Sequence, residues 1–192
     1  MKLYFIRHGR TDANEQGRYA GSWDVELTEG GREELFRLKE SGIYPSPCGK
    51  RLATSGMKRA EQTFGIIYGD MPHERIDAFR EMRFGDFERK TYYDLENDED
   101  FRNWLDDETG EVFCRNGECR KLFMEQRIIP AVYALVADGR DTVTVCHGGT
   151  ISAVMSGLFG YEGKSYLDYI PKSGRGYEIT FDGGKAVSFT EI

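Results

Sequence analysis

Thr142-Val143-Thr144-Val145-Cys146-His147-Gly148-Gly149 is the stretch that decides how this chain folds. Five strand-prone residues predict a β-strand buried on both faces. A histidine and two glycines end it, and an apolar helix follows as far as Leu158. The N-terminus repeats this pattern: Leu3-Tyr4-Phe5-Ile6 reads as a short buried strand that stops at Arg7-His8-Gly9. Between them, Thr28 is the expected N-cap of a helix with Leu35, Phe36 and Leu38 facing inward and Gly42 at its end. Arg51-Leu52-Ala53-Thr54 is a weaker strand, after which Ser55 is expected to cap a helix over about Met57 to Tyr68.

Residues 118–137 carry the longest helical pattern, with Leu122, Ile129, Val132 and Val136 on one side and Pro130 predicting a kink or restart. Residues 177–181 and 186–189 flank Asp182-Gly183-Gly184 and read as a terminal hairpin. This alternation predicts an α/β fold, a three-layer α/β/α sandwich with a mostly parallel central sheet. The expected organisation is a single domain over 1–192. Within it, residues 88–117 form a small helical cover or lid, with Leu95, Phe101, Trp104 and Leu105 inward and an acidic outer face.

Composition removes several classes of function. With 192 residues, 39% apolar and 13% aromatic, the chain can bury a sizeable core. A formal charge of −7 offers no overall attraction for nucleic acid or anionic lipid, so neither is expected as a partner. No apolar run approaches the ~18 residues of a membrane span. Arg7 interrupts the first apolar run too early for a signal peptide, so a cytoplasmic location is expected. Cys48, Cys114, Cys119 and Cys146 are read as reduced, because a chain of this length needs no disulfide framework.

His8 and His147 share one context, a strand end followed by glycine. Ligands of open α/β sheets sit beyond the carboxyl ends of the strands, so two such histidines can meet in one crevice. Arg7 lies beside His8, and Arg59 opens the helix after the second strand, where the helix N-terminus adds partial positive charge. Guanidinium forks suit the oxygens of a phosphoryl group. The third histidine, His73, stands in a polar Met71-Pro72-His73-Glu74 loop and is read as a surface residue. No metal-ligand set is apparent. Cys114 and Arg120 have the spacing of a cysteine-phosphatase loop. However, Glu118 would place a carboxylate inside it, so Cys114 is not read as a nucleophile and Glu118 is read as structural.

Arg7-His8-Gly9-Arg10-Thr11 with Asn14 resembles the signature of the histidine phosphatase (phosphoglycerate mutase-like) superfamily. The segments Gly21–Gly31, Ser55 through Arg59 to Thr63, Arg80–Glu88, Gly117-Glu118 and His147-Gly148-Gly149 resemble its later motifs, in family order. The resemblance implies a phosphohistidine on His8, with Arg7, Arg59 and His147 on the phosphoryl oxygens and Glu81 as proton donor. It implies Asn14, Thr11, Gly21 and Gly148 as substrate-binding residues and no cofactor or metal. The expected activity is hydrolysis of a small-molecule phosphate monoester. Mutase-type phosphoryl transfer and non-catalytic binding of a phospho-ligand are the alternatives.

Glu81–Glu88 and Tyr93-Asp94-Leu95 look most like the α-ribazole phosphatase branch, which suggests α-ribazole 5'-phosphate as substrate. Phe84, Phe87, Tyr92, Tyr93 and Trp104 are candidates for the wall of a pocket for a flat base. The acidic cover is expected to repel a second anionic group on the substrate. Arg89-Lys90 departs from the small glycine common in the family after that glutamate.

Overall fold

The computed structural model describes residues 1–160 and 165–192. The strands are β1 (Lys2–Arg7), β2 (Arg51–Thr54), β3 (Glu74–Arg75), β4 (Thr142–Cys146), β5 (Gly176–Asp182) and β6 (Lys185–Glu191). The helices are α1 (Asp12–Glu15), α2 (Glu29–Glu40), α3 (Lys58–Tyr68), α4 (Tyr92–Leu95), α5 (Glu99–Leu105), α6 (Arg120–Leu122), α7 (Ile129–Asp138) and α8 (Gly148–Phe159). The strands form one sheet in the order β3-β2-β4-β1-β5-β6. Strands β3, β2, β4 and β1 are mutually parallel, and the C-terminal hairpin β5–β6 adds two antiparallel strands.

Alternation along the central strands loads both faces of the sheet. Tyr4, Ile6, Val143 and Val145 pack with Phe64 and Ile67 of α3 on one side. Leu3 and Phe5 face the other, in a larger core with Val132 and Leu135 of α7 and Ile151 and Val154 of α8. These are the three layers the strand–helix alternation predicts.

Several local expectations are corrected. Thr28 does cap α2, its hydroxyl accepting from the Gly31 N–H at 3.0 Å, but Phe36 is 52% exposed and only Leu35 of the inward set is fully buried. Helix α3 begins after Met57 with no side-chain cap, and Ser55 is turned to another use described below. His73 is half-buried rather than free at the surface: its ring packs on Phe64 and its Nε2 meets a Glu61 carboxylate oxygen at 2.9 Å.

The long helical pattern over 118–137 is broken by a π-helical segment, Phe123–Ile128, between α6 and α7. Pro130 has no N–H to offer the Gln126 carbonyl, which matches a widened turn at this point. The buried series therefore steps by five, from Phe123 to Ile128, before continuing through Val132 and Leu135. Leu122 is left exposed, and Ile129 and Val136 are only half-buried.

Residues 88–117 hold α4 and α5, with Leu95, Phe101 and Trp104 buried against the larger core. Several of their acidic residues are engaged in local structure. Asp94 closes a capping box with Thr91, and Asp98 caps α5. Arg115 gathers Asp86, Asp98 and Asp100 at 2.8–3.1 Å. Arg89 adopts φ +67°, the left-handed conformation that a glycine enters without strain, and its guanidinium lies over the Trp23 ring.

Candidate active site

The β1–β4 register pairs Arg7 with Cys146, so the next residue of each strand, His8 and His147, emerges side by side. Their ring centroids are 5.3 Å apart. The chain leaves β1 towards β2 on one side and leaves β4 towards β5 on the other, so this strand pair is a topological switch point. Two histidines separated by most of the sequence are neighbours because their strands are.

Each imidazole is held in one orientation. The His8 Nδ1–H donates to the Gly9 carbonyl at 2.7 Å, which leaves Nε2 with its lone pair. The His147 Nδ1 accepts from Arg59 Nε at 3.1 Å, so Nε2 carries the proton and donates to the Ser55 hydroxyl at 2.7 Å. Ser55 thus orients a histidine on the neighbouring strand rather than capping a helix. Both histidines are held well below the ordinary imidazole value of 6.5, first by burial and then by Arg59, with further contributions from Arg7 on both and from His8 on His147.

Arg59 is 1% exposed and makes no carboxylate ion pair among the described residues. Its Nη1 donates to the Trp23 carbonyl, and its Nη2 donates to the carbonyls of Ala20 and Gly21 at 2.9 and 3.1 Å. Burial lowers its pKa to about 10, against the pull of Glu81, so it remains a cation at neutral pH. Arg7 donates Nη1 to the Pro171 carbonyl, and its Nε is buried without a partner. A buried cation without a counter-ion is costly unless an anion arrives to meet it. Here one such cation, Arg59, and the half-buried Arg7 flank two neutral imidazoles.

Glu81 closes the site from the segment between β3 and α4. Its Oε2 accepts from the Gly149 N–H at 2.9 Å, at the N-terminus of α8, and its Oε1 accepts from the Met82 N–H at 2.9 Å. A Cβ at Gly149 would come within 2.5 Å of Glu81 Oε1, so only glycine permits this approach.

These groups face a cavity of about 300 Å³ lined by Arg7, His8, Thr11, Asn14, Arg59, Glu81 and Gly148. Thr11 and Asn14 form the capping box of α1, which engages the Asn14 Oδ1 and the Thr11 hydroxyl at the cavity wall. Two of the expected residues lie behind the wall instead. His147 is fully buried, and Gly21 contributes only the carbonyl that holds Arg59. Arg18, Tyr19, Arg120, Gly149 and Tyr166 also line the cavity and were not singled out from the sequence. Gly149 ends the His147-Gly148-Gly149 motif, whereas Arg18, Tyr19, Arg120 and Tyr166 converge from separate segments that no short motif marks.

Of the proposed aromatic wall, Phe84 and Trp104 line the cavity, and Tyr19 packs edge-on against both. Phe87 is fully buried in the core, and Tyr92 and Tyr93 are exposed and outside the cavity. The carboxylates of the cover do not line it either, so any repulsion of a second anion by them acts from outside the cavity. Cys114 is buried with its thiol pushed up to about 12, mainly by burial, and Glu118 is ion-paired to Arg127. The alternative cysteine loop therefore lacks a thiolate.

One prediction concerns stability. The unfolded chain binds protons at both imidazoles near pH 6.5, whereas the folded chain keeps them neutral to lower pH, so stability falls on acidification below that point. Each imidazole contributes a slope of up to about 1.4 kcal/mol per pH unit. Denaturant titrations between about pH 7 and pH 5 measure it; a flat profile would mean that the buried rings titrate normally.

Comparison with known proteins agrees with this geometry. The model of the histidine phosphatase superfamily (branch 1) matches residues 3–189. An adenosylcobalamin/alpha-ribazole phosphatase of Salmonella typhimurium is 30% identical over 164 residues, 82% of this chain and 79% of that protein. A 2,3-bisphosphoglycerate-dependent phosphoglycerate mutase of Xanthobacter autotrophicus is 27% identical over 173 residues, covering 81% and 80%. The crystal structure of the alpha-ribazole phosphatase from Shigella flexneri superposes with a TM-score of 0.82 at 27% identity, over 97% of this chain and 93% of that one. With His8 and His147 adjacent at the strand ends and the family model spanning nearly the whole sequence, the chain belongs to the histidine phosphatase superfamily, branch 1.

Proposed function

We propose that this protein hydrolyses a small-molecule phosphate monoester through a phosphohistidine on His8. The observation that carries the reading is a pair of guanidiniums, Arg59 buried and Arg7 half-buried, with no carboxylate ion pair among the described residues, beside an imidazole whose Nε2 lone pair is free. In the first step His8 Nε2 attacks phosphorus in line and forms the P–N bond. The ester P–O bond breaks, and its electron pair leaves on the ester oxygen, which takes a proton from the Glu81 carboxyl.

Arg7 and Arg59 meet the equatorial oxygens already oriented, which removes reorganisation at the moment of charge transfer. The Gly9 carbonyl holds the His8 Nδ1–H as the ring becomes cationic. His147, behind the wall, accepts the Arg59 Nε–H at Nδ1 and so orients that guanidinium towards the phosphoryl group. Asn14, Thr11 and Gly148 bound the remaining oxygens. In the second step water attacks phosphorus, gives a proton to the Glu81 carboxylate, and the P–N bond returns its pair to His8.

The chain acts as one domain, and residues 88–117 serve as a cover that lends Trp104 and Leu105 to the cavity. Tyr19, Phe84, Trp104 and Tyr166 offer ring faces and edges to a flat remainder, which supports α-ribazole 5'-phosphate as substrate, in line with the names of the Salmonella and Shigella relatives. A second reading rests on Arg18 and Arg120. These two further guanidiniums line a cavity in which Glu81 is the one carboxylate among the described lining residues, which suits a remainder that itself carries an anion, such as a phosphoglycerate.

Phosphate release from a panel of monoesters separates the readings. Catalytic efficiency is expected to be about two- to tenfold higher for α-ribazole 5'-phosphate and aryl phosphates than for 3-phosphoglycerate, the difference one stacked ring contributes. Preference for the carboxylated esters would favour the second reading. Isomerisation of phosphoglycerate outrunning phosphate release would make the protein a mutase, and binding of the whole panel without turnover would make it a phospho-ligand binder.

A further inference from the structure

We propose that Arg127, paired with Glu118, is a positioning residue that sets the Glu81 carboxyl for proton transfer. This rests on the reading of Glu81 as the proton donor. Residues 81–84 lie in neither helix nor strand, between the 3₁₀ turns Asp77–Phe79 and Gly85–Phe87. No sheet ladder or helix holds the backbone that carries Glu81, so its placement depends on side chains from elsewhere.

Arg127 supplies them. Its Nη1 donates to the Ala78 and Arg80 carbonyls at 3.2 and 2.8 Å, and its Nη2 donates to the Glu81 carbonyl at 3.3 Å and to Glu118 Oε2 at 2.9 Å. Glu118 grips the same segment from the other end. Its Oε2 accepts from the Arg83 N–H at 2.8 Å, and its own N–H donates to the Arg83 carbonyl at 2.9 Å. One ion pair therefore fixes the backbone on both sides of Glu81. The fork is itself located by packing, since the guanidinium lies 4.3 Å from the centroid of the Phe123 ring.

Arg127 sits within the π-helical segment Phe123–Ile128. An inserted wide turn shifts the residues after it around the helix axis, and such turns often occur at functional sites because they re-aim one side chain. Here the side chain is re-aimed at the loop bearing the acid. Lysine could not serve equally, because one ammonium lacks the planar fork that spans three carbonyls and a carboxylate.

The test is the dependence of kcat/KM on the leaving group, because kcat/KM reports steps up to departure of the alcohol. A nitrophenolate leaves without help, whereas an alkoxide needs the proton, so misplacing Glu81 harms alkyl esters selectively. Arg127→Met is expected to lose about 10- to 100-fold more kcat/KM with propyl phosphate than with 4-nitrophenyl phosphate. Glu118→Gln is expected to show the same selectivity, and Arg127→Lys a smaller one. Equal losses on both substrates, as loosening of the fold would give, or no loss at all, would overturn the proposal.

Glu81→Gln is the reference. If it loses both substrates equally, the role of Glu81 is wrong and that of Arg127 falls with it. If it is selective and Arg127→Met is not, Arg127 alone is reassigned. Should Arg127→Met fail to fold, Arg127→Lys and Glu118→Gln are judged by the same criterion.

Discussion

Replacement of His8 by alanine is expected to lower turnover of any phosphate monoester by at least about 10⁴-fold and to abolish acid-labile phosphate labelling of the protein. Every other group at the site acts on charge or protons, whereas Nε2 of His8 forms the bond to phosphorus. Its lone pair is available because Nδ1–H is tied to the Gly9 carbonyl and because burial and the Arg59 and Arg7 charges keep the ring neutral. The same charges that bind the dianion thus keep its attacker unprotonated. Rapid quenching after mixing with radiolabelled substrate measures the phosphoenzyme directly. A His8→Ala protein that still turns over at the wild-type rate, or that still takes up label, would show that phosphorus is attacked by water or by another residue.

Replacement of Arg59 by methionine is expected to cost about 10²–10³ in kcat/KM, the usual value of one pre-oriented donor to a developing anion. It should also change the pH profile. After burial, the Arg59 charge does most to hold both imidazoles in their neutral form, and its Nε–H occupies the His147 Nδ1 lone pair. Without it both rings protonate at higher pH, so the acid limb of kcat/KM moves upward. A simple loss of packing would lower the rate without moving that limb. The profile therefore separates electrostatic from structural damage, with the thermal transition measured alongside. An unchanged acid limb combined with a full loss of activity would mean that Arg59 serves the fold rather than the phosphoryl group.

The sequence alone was informative wherever the relevant physics is local. Strands β1 and β4 are apolar runs whose neighbours along the chain are turn-formers, and the N-cap at Thr28 is a contact over three residues. It was less informative where a contact spans the sheet. Ser55 has the chemistry of a helix cap, and nothing nearby in sequence indicates that an imidazole 92 positions away will take its hydroxyl. The carboxylates of residues 94–111 read as an acidic lid because their count is visible, while the pairing of Arg115 with Asp98 and Asp100 is visible only in three dimensions. Phe36 and Phe87 are both phenylalanines at plausible core positions, and only packing leaves the first exposed and the second fully buried.

By itself the sequence determined the α/β fold, the two strand-end histidines, the two arginines and Glu81, because strand periodicity and the ordered motifs are written in consecutive residues. Tertiary structure alone decided which residues wall the cavity and which hold the acid in place. Tyr19, Arg120 and Tyr166 reach the cavity from separate segments, and Arg127 reaches Glu81 by way of a π turn that shifts its direction. Such convergence depends on the path of the whole chain around the sheet, and no spacing along the sequence encodes it.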